Sequence, residues 1–255
     1  MRATILHNQE QLTVNLSEPL DISLPLTGEA NNPTAWYLSA PEITPVKGDS
    51  FIGEVAQGGS VNFKTIVFNP HAHGTHTEGI GHITAQFNSV QEAITSYFFK
   101  AKLITIQPKI SKGDMIITQD HIREALQGQK PEAVIIRTRP NHKEKQHKQW
   151  SHTNWPYLSQ QAAQYLCELG VQHLLIDTPS VDKEKDDGAL LAHKAFWNFE
   201  SDPRMNATIT EFVFVANAIE DGDYLLNLQL ANMVNDAAPS RPVLYKLLVT
   251  AQESE

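Results

Sequence analysis

Apolar residues recur along this chain with two different periods, and the changes of period mark out its elements. Residues 3–6 and 11–16 are extended and flank His7-Asn8-Gln9-Glu10, which predicts a hairpin. Residues 21–26 form another short strand. Residues 61–68 set Val61, Phe63, Thr65 and Val67 against Asn62 and Lys64, the alternation of a strand. Strands follow over 101–106 and 115–118, the second entered through Lys112-Gly113-Asp114. Asp120 is expected to cap a helix running to about Gln127. Residues 133–137 read as a buried strand. Ser159 then caps a helix that ends at Gly170, and 171–176 is the next strand. That strand-helix-strand run predicts a parallel pair joined by a crossover. A further helix starts at Asp187 or Gly188 and runs through Phe196. Residues 209–215, 224–230 and 243–249 are the last strands. With no internal repeat and no low-complexity linker, residues 1–255 read as one mixed α/β domain rich in strands.

Composition narrows the function classes. The chain is 41% hydrophobic and 19% charged, as in ordinary globular proteins. Its net charge of -9 argues against nucleic acid and anionic membrane as partners. No signal-peptide core and no run of about 18 apolar residues is present, so the cytoplasm is the expected location. The single cysteine, Cys167, excludes an intrachain disulfide and reads as a small buried hydrophobe on a helix face. The segment Arg137 to Lys148 is locally basic. It reads as a solvated loop or, alternatively, as a loop that folds over the site of a substrate or a neighbouring subunit.

The chemistry concentrates in Asn69-Pro70-His71-Ala72-His73-Gly74-Thr75-His76-Thr77-Glu78-Gly79-Ile80-Gly81-His82, which holds four of the 11 histidines. Histidine is the commonest ligand for a first-row metal and moves protons near neutral pH. Gly74 allows a sharp bend. His76 and Glu78, two apart, face one side of an extended chain and offer an imidazole and a carboxylate to Zn, Mn or Fe. His71 or His73 can add a third ligand. Three protein ligands with an open position is the arrangement of a catalytic metal. His82 is either another ligand or an uncoordinated proton carrier. Two distant residues are candidates to complete the shell. His193 lies on the helix ending at Phe196, and Glu211 is a carboxylate inside an apolar strand, costly there unless paired or metal-bound.

Gly74-Thr75-His76-x-Glu78-x-x-x-His82 resembles the motif of the metal-dependent cyclase family, which includes bacterial kynurenine formamidases and reads His-x-Gly-Thr-His-x-Asp-x-Pro-x-His. Asp177-Thr178-Pro179-Ser180-Val181-Asp182 is similar to the family's Asp-x-x-Ser-x-Asp segment. His193 and Glu211 fall where the family keeps its distal ligands. The sequence departs from the pattern at Glu78, which replaces Asp, at Gly79-Ile80, which lacks the proline, and at Ala72, where the first histidine is displaced to His71 or His73. His71 is preferred, because an inserted residue before Gly74 is absorbed in the turn.

The resemblance implies a single mixed α/β domain of the swivelling β/β/α type, usually homo-oligomeric, that binds a small-molecule substrate. It implies one or two divalent transition-metal ions, Zn or Mn, held by His71, His76, Glu78, His193 and Glu211, with His82 moving protons. The reading is a metal-dependent hydrolase of a non-peptide C–N amide bond, arylformamidase-like. Alternatives are a cyclase or dehydratase, a lactam hydrolase like isatin hydrolase, and a non-enzymatic metal-binding protein. A binding protein has no need of an uncoordinated His82 beside an open metal position.

Overall fold

A computed structural model describes residues 1–248, so Val249, placed at the end of the last strand from the sequence, lies outside the described residues. The architecture is mixed α/β, built on one 11-stranded sheet with few helices. At its centre Phe98–Ile106, Ala133–Thr138, His173–Ile176 and Thr208–Glu211 run parallel to their neighbours, Ala133 lying opposite both Ala101 and His173. The predicted crossover is therefore present, carried by the helix Gln160–Glu168 between Ala133–Thr138 and His173–Ile176. Antiparallel strands extend both sides. Gly222–Asn227 and Val243–Leu248 follow Phe98–Ile106, and the N-terminal hairpin Arg2–His7 with Glu10–Asn15 closes that edge. On the other side His76–Glu78 pairs with Thr208–Glu211, and Ala237–Pro239 pairs with His76–Glu78.

The central strands are buried on both faces, which is why they read as continuous apolar runs. Val134, Ile136, Leu174 and Ile176 pack with the helices Gln119–Leu126, Gln160–Glu168 and Leu191–Phe196. Ala133, Ile135 and Leu175 point the other way, into a second core with Ile22, Tyr224 and Leu244. Ser159 caps its helix as expected, its hydroxyl accepting from the Ala162 N–H at 3.1 Å. Cys167 on that helix is half-buried rather than buried, and is free.

Several boundaries move for local reasons. Thr118, not Asp120, caps the next helix, because it completes a capping box with His121. The third helix starts only at Leu191, since Asp187, Gly188 and Leu190 all adopt left-handed backbone conformations. The strand read over 209–215 stops at Glu211, where Phe212 turns to φ 57°. Of the 21–26 run only Asp21 is strand, the second residue of Leu20–Asp21. The 61–68 run is reduced to Lys64–Val67 and pairs with Glu42–Pro45 in a ribbon apart from the main sheet, leaving Val61, Phe63, Ile66 and Val67 exposed. The basic segment is not simply solvated. Buried Arg137 bonds Thr105, Ala216, Ile219 and Asp221, and Lys145 reaches buried Asp177 at 2.8 Å.

Candidate metal centre

Three neighbouring strands deliver the site. His76–Glu78 lies between Thr208–Glu211 and Ala237–Pro239, so His76 is opposite Glu211 and Glu78 is opposite Ala237. His76 and Glu78 point to one side by strand alternation. Gly74, at φ 153°, lets the chain enter that strand in a conformation other residues rarely adopt. Beyond Glu78 the chain folds into the tight turn Ile80–His82, which brings His82 back beside Glu78. Gly81 permits that turn, because a Cβ there would meet the Asn88 carbonyl oxygen at 2.1 Å.

Glu78 is the centre of the cluster and is fully buried. Its Oε1 lies 2.9 Å from His193 Nε2. Its Oε2 lies 3.0 Å from His71 Nδ1, 4.0 Å from His76 Nε2 and 3.9 Å from His82 Nε2. Glu211 stands beside it, 3.4 Å from His76 Nε2 and 3.8 Å from His193 Nε2, and accepts from the Val181 N–H at 2.8 Å. All six residues singled out in the sequence thus meet in one place. His71 faces the cluster, whereas His73 turns away and accepts from the Asn69 N–H at 2.9 Å.

The far nitrogen of each inward imidazole has an acceptor. His76 Nδ1 donates to the Gly74 carbonyl at 3.0 Å, His193 Nδ1 to Asp182 Oδ2 at 2.5 Å, and His71 Nε2 to Asp236 Oδ2 at 2.9 Å. A neutral imidazole carries one N–H, so each ring then presents a lone pair to Glu78 or Glu211. Lone pairs of nitrogen and carboxylate oxygen face each other at about 3 Å only when a proton or a cation stands between them. His76 Nε2 is buried without a hydrogen-bond partner, Glu78 Oε2 meets only the His71 ring nitrogen within 3.0 Å, and these are the atoms a cation would join. A backing acceptor behind each ligand histidine is how metal sites fix tautomer and ring orientation. The donor set therefore fits a divalent ion, and Glu78, with one oxygen toward each half of the cluster, fits a bridge between two.

The electrostatics report the same demand for positive charge. Burial disfavours charge on His71, but hydrogen bonds to Asp236 and Glu78 outweigh it and push the ring up to about 10. Burial likewise opposes charge on His193, yet Asp182 and Glu78 hold it well above the usual histidine range. Burial would raise Glu78; the His82 charge and the bonds from His193 and His71 keep it well below the carboxylate range.

Asp182 and Asp236 were not assigned a role in the sequence. Asp182 also accepts from the Ala192 and His193 N–H groups, pinning the start of the His193 helix. Its signal was visible as the last residue of the Asp-x-x-Ser-x-Asp segment. Asp236 had none: it falls between the last two predicted strands, where Ala237–Pro239 is a strand of the main sheet.

A cavity of about 340 Å³ opens onto the cluster, lined by Trp36, Leu38 and Leu190 on its apolar side and by His71, His82 and His193 on the other. A larger one, about 540 Å³, lies behind the 69–75 loop; His73, Gly74 and Thr75 line it, and none of the clustered imidazoles does.

The Cyclase family model matches residues 14–183, two thirds of the chain, and so takes in His71, His76, Glu78, His82 and Asp182. The chain belongs to the cyclase family. His193, Glu211 and Asp236 lie beyond that match. A kynurenine formamidase of Bacillus cereus is 29% identical over 89% of this chain and 97% of its own length. One from Bacillus anthracis is 28% identical over the same shares. Among solved structures, a potential metal-dependent hydrolase with cyclase activity superposes with a TM-score of 0.63 at 18% identity, covering 90% of this chain and 98% of its own. An isatin hydrolase bound to a product analogue, thioisatinate, gives 0.61 at 15% identity over 91% and 93%. At those identities the structures show the fold.

Proposed function

We propose that this cyclase-family protein is a metal-dependent hydrolase of a non-peptide C–N amide bond, with an aryl formamide as substrate class. The observation that carries the reading is the convergence of three carboxylate- or carbonyl-backed imidazoles on Glu78 and Glu211 at the floor of a cavity with a Trp36 wall. His71, His76, Glu78, His193 and Glu211 would hold one or two ions, Zn or Mn, suited to a mixed nitrogen and oxygen set. A divalent cation there supplies Lewis-acid polarisation of a carbonyl and acidifies a water molecule.

The chain's own residues supply the rest. Trp36, Leu38 and Leu190 receive an aromatic ring and exclude water from it. His82, its side chain 31% exposed at the cavity, is not pinned within the buried shell. Its Nδ1 donates to Asp236 at 3.1 Å, so Nε2 is free to take a proton from the attacking water. The new C–O bond forms as the C–N bond breaks, and His82 Nε2 returns the proton to the leaving nitrogen. Formate and an aryl amine are the products.

The test compares hydrolysis of an aryl formamide by Zn- or Mn-loaded protein and by chelator-treated protein. Cleavage restricted to the loaded form is expected. Loaded protein that opens isatin and leaves aryl formamides intact would overturn the choice of substrate class.

The proposal includes a homo-oligomer, supported by the ribbon at Glu42–Pro45 and Lys64–Val67. Phe63 and Val67 each expose more than half of their surface there, an apolar face that a second copy of the chain would cover.

A further inference from the structure

Asp236 touches both halves of the machinery with one atom. Its Oδ2 lies 2.9 Å from His71 Nε2 and 3.1 Å from His82 Nδ1. Those two rings are stacked on each other, 4.3 Å between centroids at 30°. The backbone holds the carboxylate in place: the Asp236 carbonyl accepts from the Gly79 N–H at 3.0 Å, and the next residue, Ala237, is registered opposite Glu78. Asp236 is thus delivered by the strand next to the ligand strand, and it reaches over Glu78 to the outer side of both histidines.

The consequence follows from imidazole chemistry. An N–H directed at a carboxylate leaves the lone pair on the other nitrogen. For His71 that nitrogen is Nδ1, 3.0 Å from Glu78 Oε2; for His82 it is Nε2, 3.9 Å from the same oxygen. We propose that Asp236 is a shared positioning residue, whose single carboxylate oxygen fixes the tautomer and tilt of His71 for cation binding and of His82 for proton transfer. Cation affinity and turnover then depend on one side chain that contacts neither the ion nor the substrate.

Asp236, His71 and His82 also place donor atoms within 4.8 Å of one another, the spacing of a metal site in its own right. The structure favours positioning. Within the cluster His76 Nε2 is buried with no hydrogen-bond partner, and Glu78 Oε2 lies on the Nδ1 side of His71, away from Asp236. An ion held by His71 Nε2 and Asp236 would leave the ring proton on Nδ1, directed at Glu78 Oε2, and would withdraw His71 from any ion shared with His76 and Glu78.

The proposal rests on the reading of the cluster as a metal centre, and its test does not rest on the substrate. Three measurements are made on Asp236→Ala and Asp236→Asn. Zinc affinity is read by competition with a chromophoric chelator, and stoichiometry by elemental analysis. Long-range ¹H–¹⁵N NMR reads the ring tautomers, and kcat on an aryl formamide is taken at saturating zinc. Removing an outer partner of a metal-binding histidine weakens binding or activity by roughly 10–100-fold. Asp236→Ala should therefore weaken zinc binding by about that factor with stoichiometry unchanged, and His82 should lose its Nδ1–H preference. Its kcat should fall by a similar factor, and that fall should vanish when the change is made in His82→Ala, while the loss of affinity persists. Asp236→Asn keeps an acceptor oxygen in place and should recover part of both. A loss of one zinc per chain in Asp236→Ala would make Asp236 a ligand and overturn the proposal. Unchanged affinity and unchanged tautomers would overturn it too. If the wild type cleaves no aryl formamide, the substrate reading fails, and affinity and tautomer still decide the role of Asp236.

Discussion

His76 and Glu211 are direct cross-strand partners, and their side chains meet with Nε2 3.4 Å from Oε2 at the buried end of the strand pair. Both are nearly inaccessible to solvent; His76 Nδ1 is committed to the Gly74 carbonyl, and the other Glu211 oxygen, Oε1, to the Val181 N–H. A cation held by the two would tie neighbouring strands of the sheet together. Purified protein should carry at least one transition-metal ion per chain, and His76→Ala should lose most of it. Elemental analysis that finds no metal above background in a folded, active sample would sink the coordination scheme.

His82 differs from buried His76 and His193 in being reachable from the cavity while stacked on His71. General acid–base groups contribute roughly 10²–10⁴-fold in rate, so His82→Ala should lower kcat on an aryl formamide by about that factor. Metal content should be unchanged. Metal loss in step with the loss of activity would instead make His82 a ligand.

The central motif was legible because its residues are contiguous and chemically unusual. Gly74, His76, Glu78 and His82 announce a site through spacing alone, and Glu211 through its misfit in an apolar strand. The parallel core was legible in the same way, since Val134 to Ile136 and Leu174 to Ile176 are apolar on both faces. Asp236 was not, because a lone acid near a proline in a polar stretch has no periodicity, and its role depends on Ala237–Pro239 joining the sheet beside a strand about 160 residues earlier. The helix containing His193 started late for a related reason. Asp182, nine residues before it, caps its N–H groups from a distance, a bond no local pattern encodes.

The exposed ribbon gives a prediction about assembly. Phe63 packs edge-on against Phe51 at 6.3 Å between ring centroids, yet both remain partly in solvent. A face of this kind on a chain of net charge -9 is expected to be covered by a second copy. Light scattering at micromolar concentration should give a dimer or larger, and Phe63→Glu with Val67→Glu should shift it toward the monomer. A monomer mass for the unmodified chain would defeat the idea.

His173 offers a prediction that depends on no metal. It sits at the far end of its strand from the cluster, fully buried, with Nδ1 2.8 Å from Thr208 Oγ1 and its ring 4.0 Å from that of Phe99. Burial, aided by the Arg204 charge, pushes it down to about 3 from an ordinary 6.5. Between those two values the unfolded chain binds a proton that the folded chain refuses, so stability must fall as pH falls. The full contribution is present above 6.5 and is lost progressively toward 3, with a limiting slope of about 1.4 kcal/mol per pH unit. From neutral pH to about pH 5 this one ring should remove about 2 kcal/mol. His173→Gln cannot take up that proton, so its urea-unfolding stability should decline less than that of the wild type by about that amount. Parallel declines in the two proteins would show that the ring is already charged, or already solvated, in the folded state.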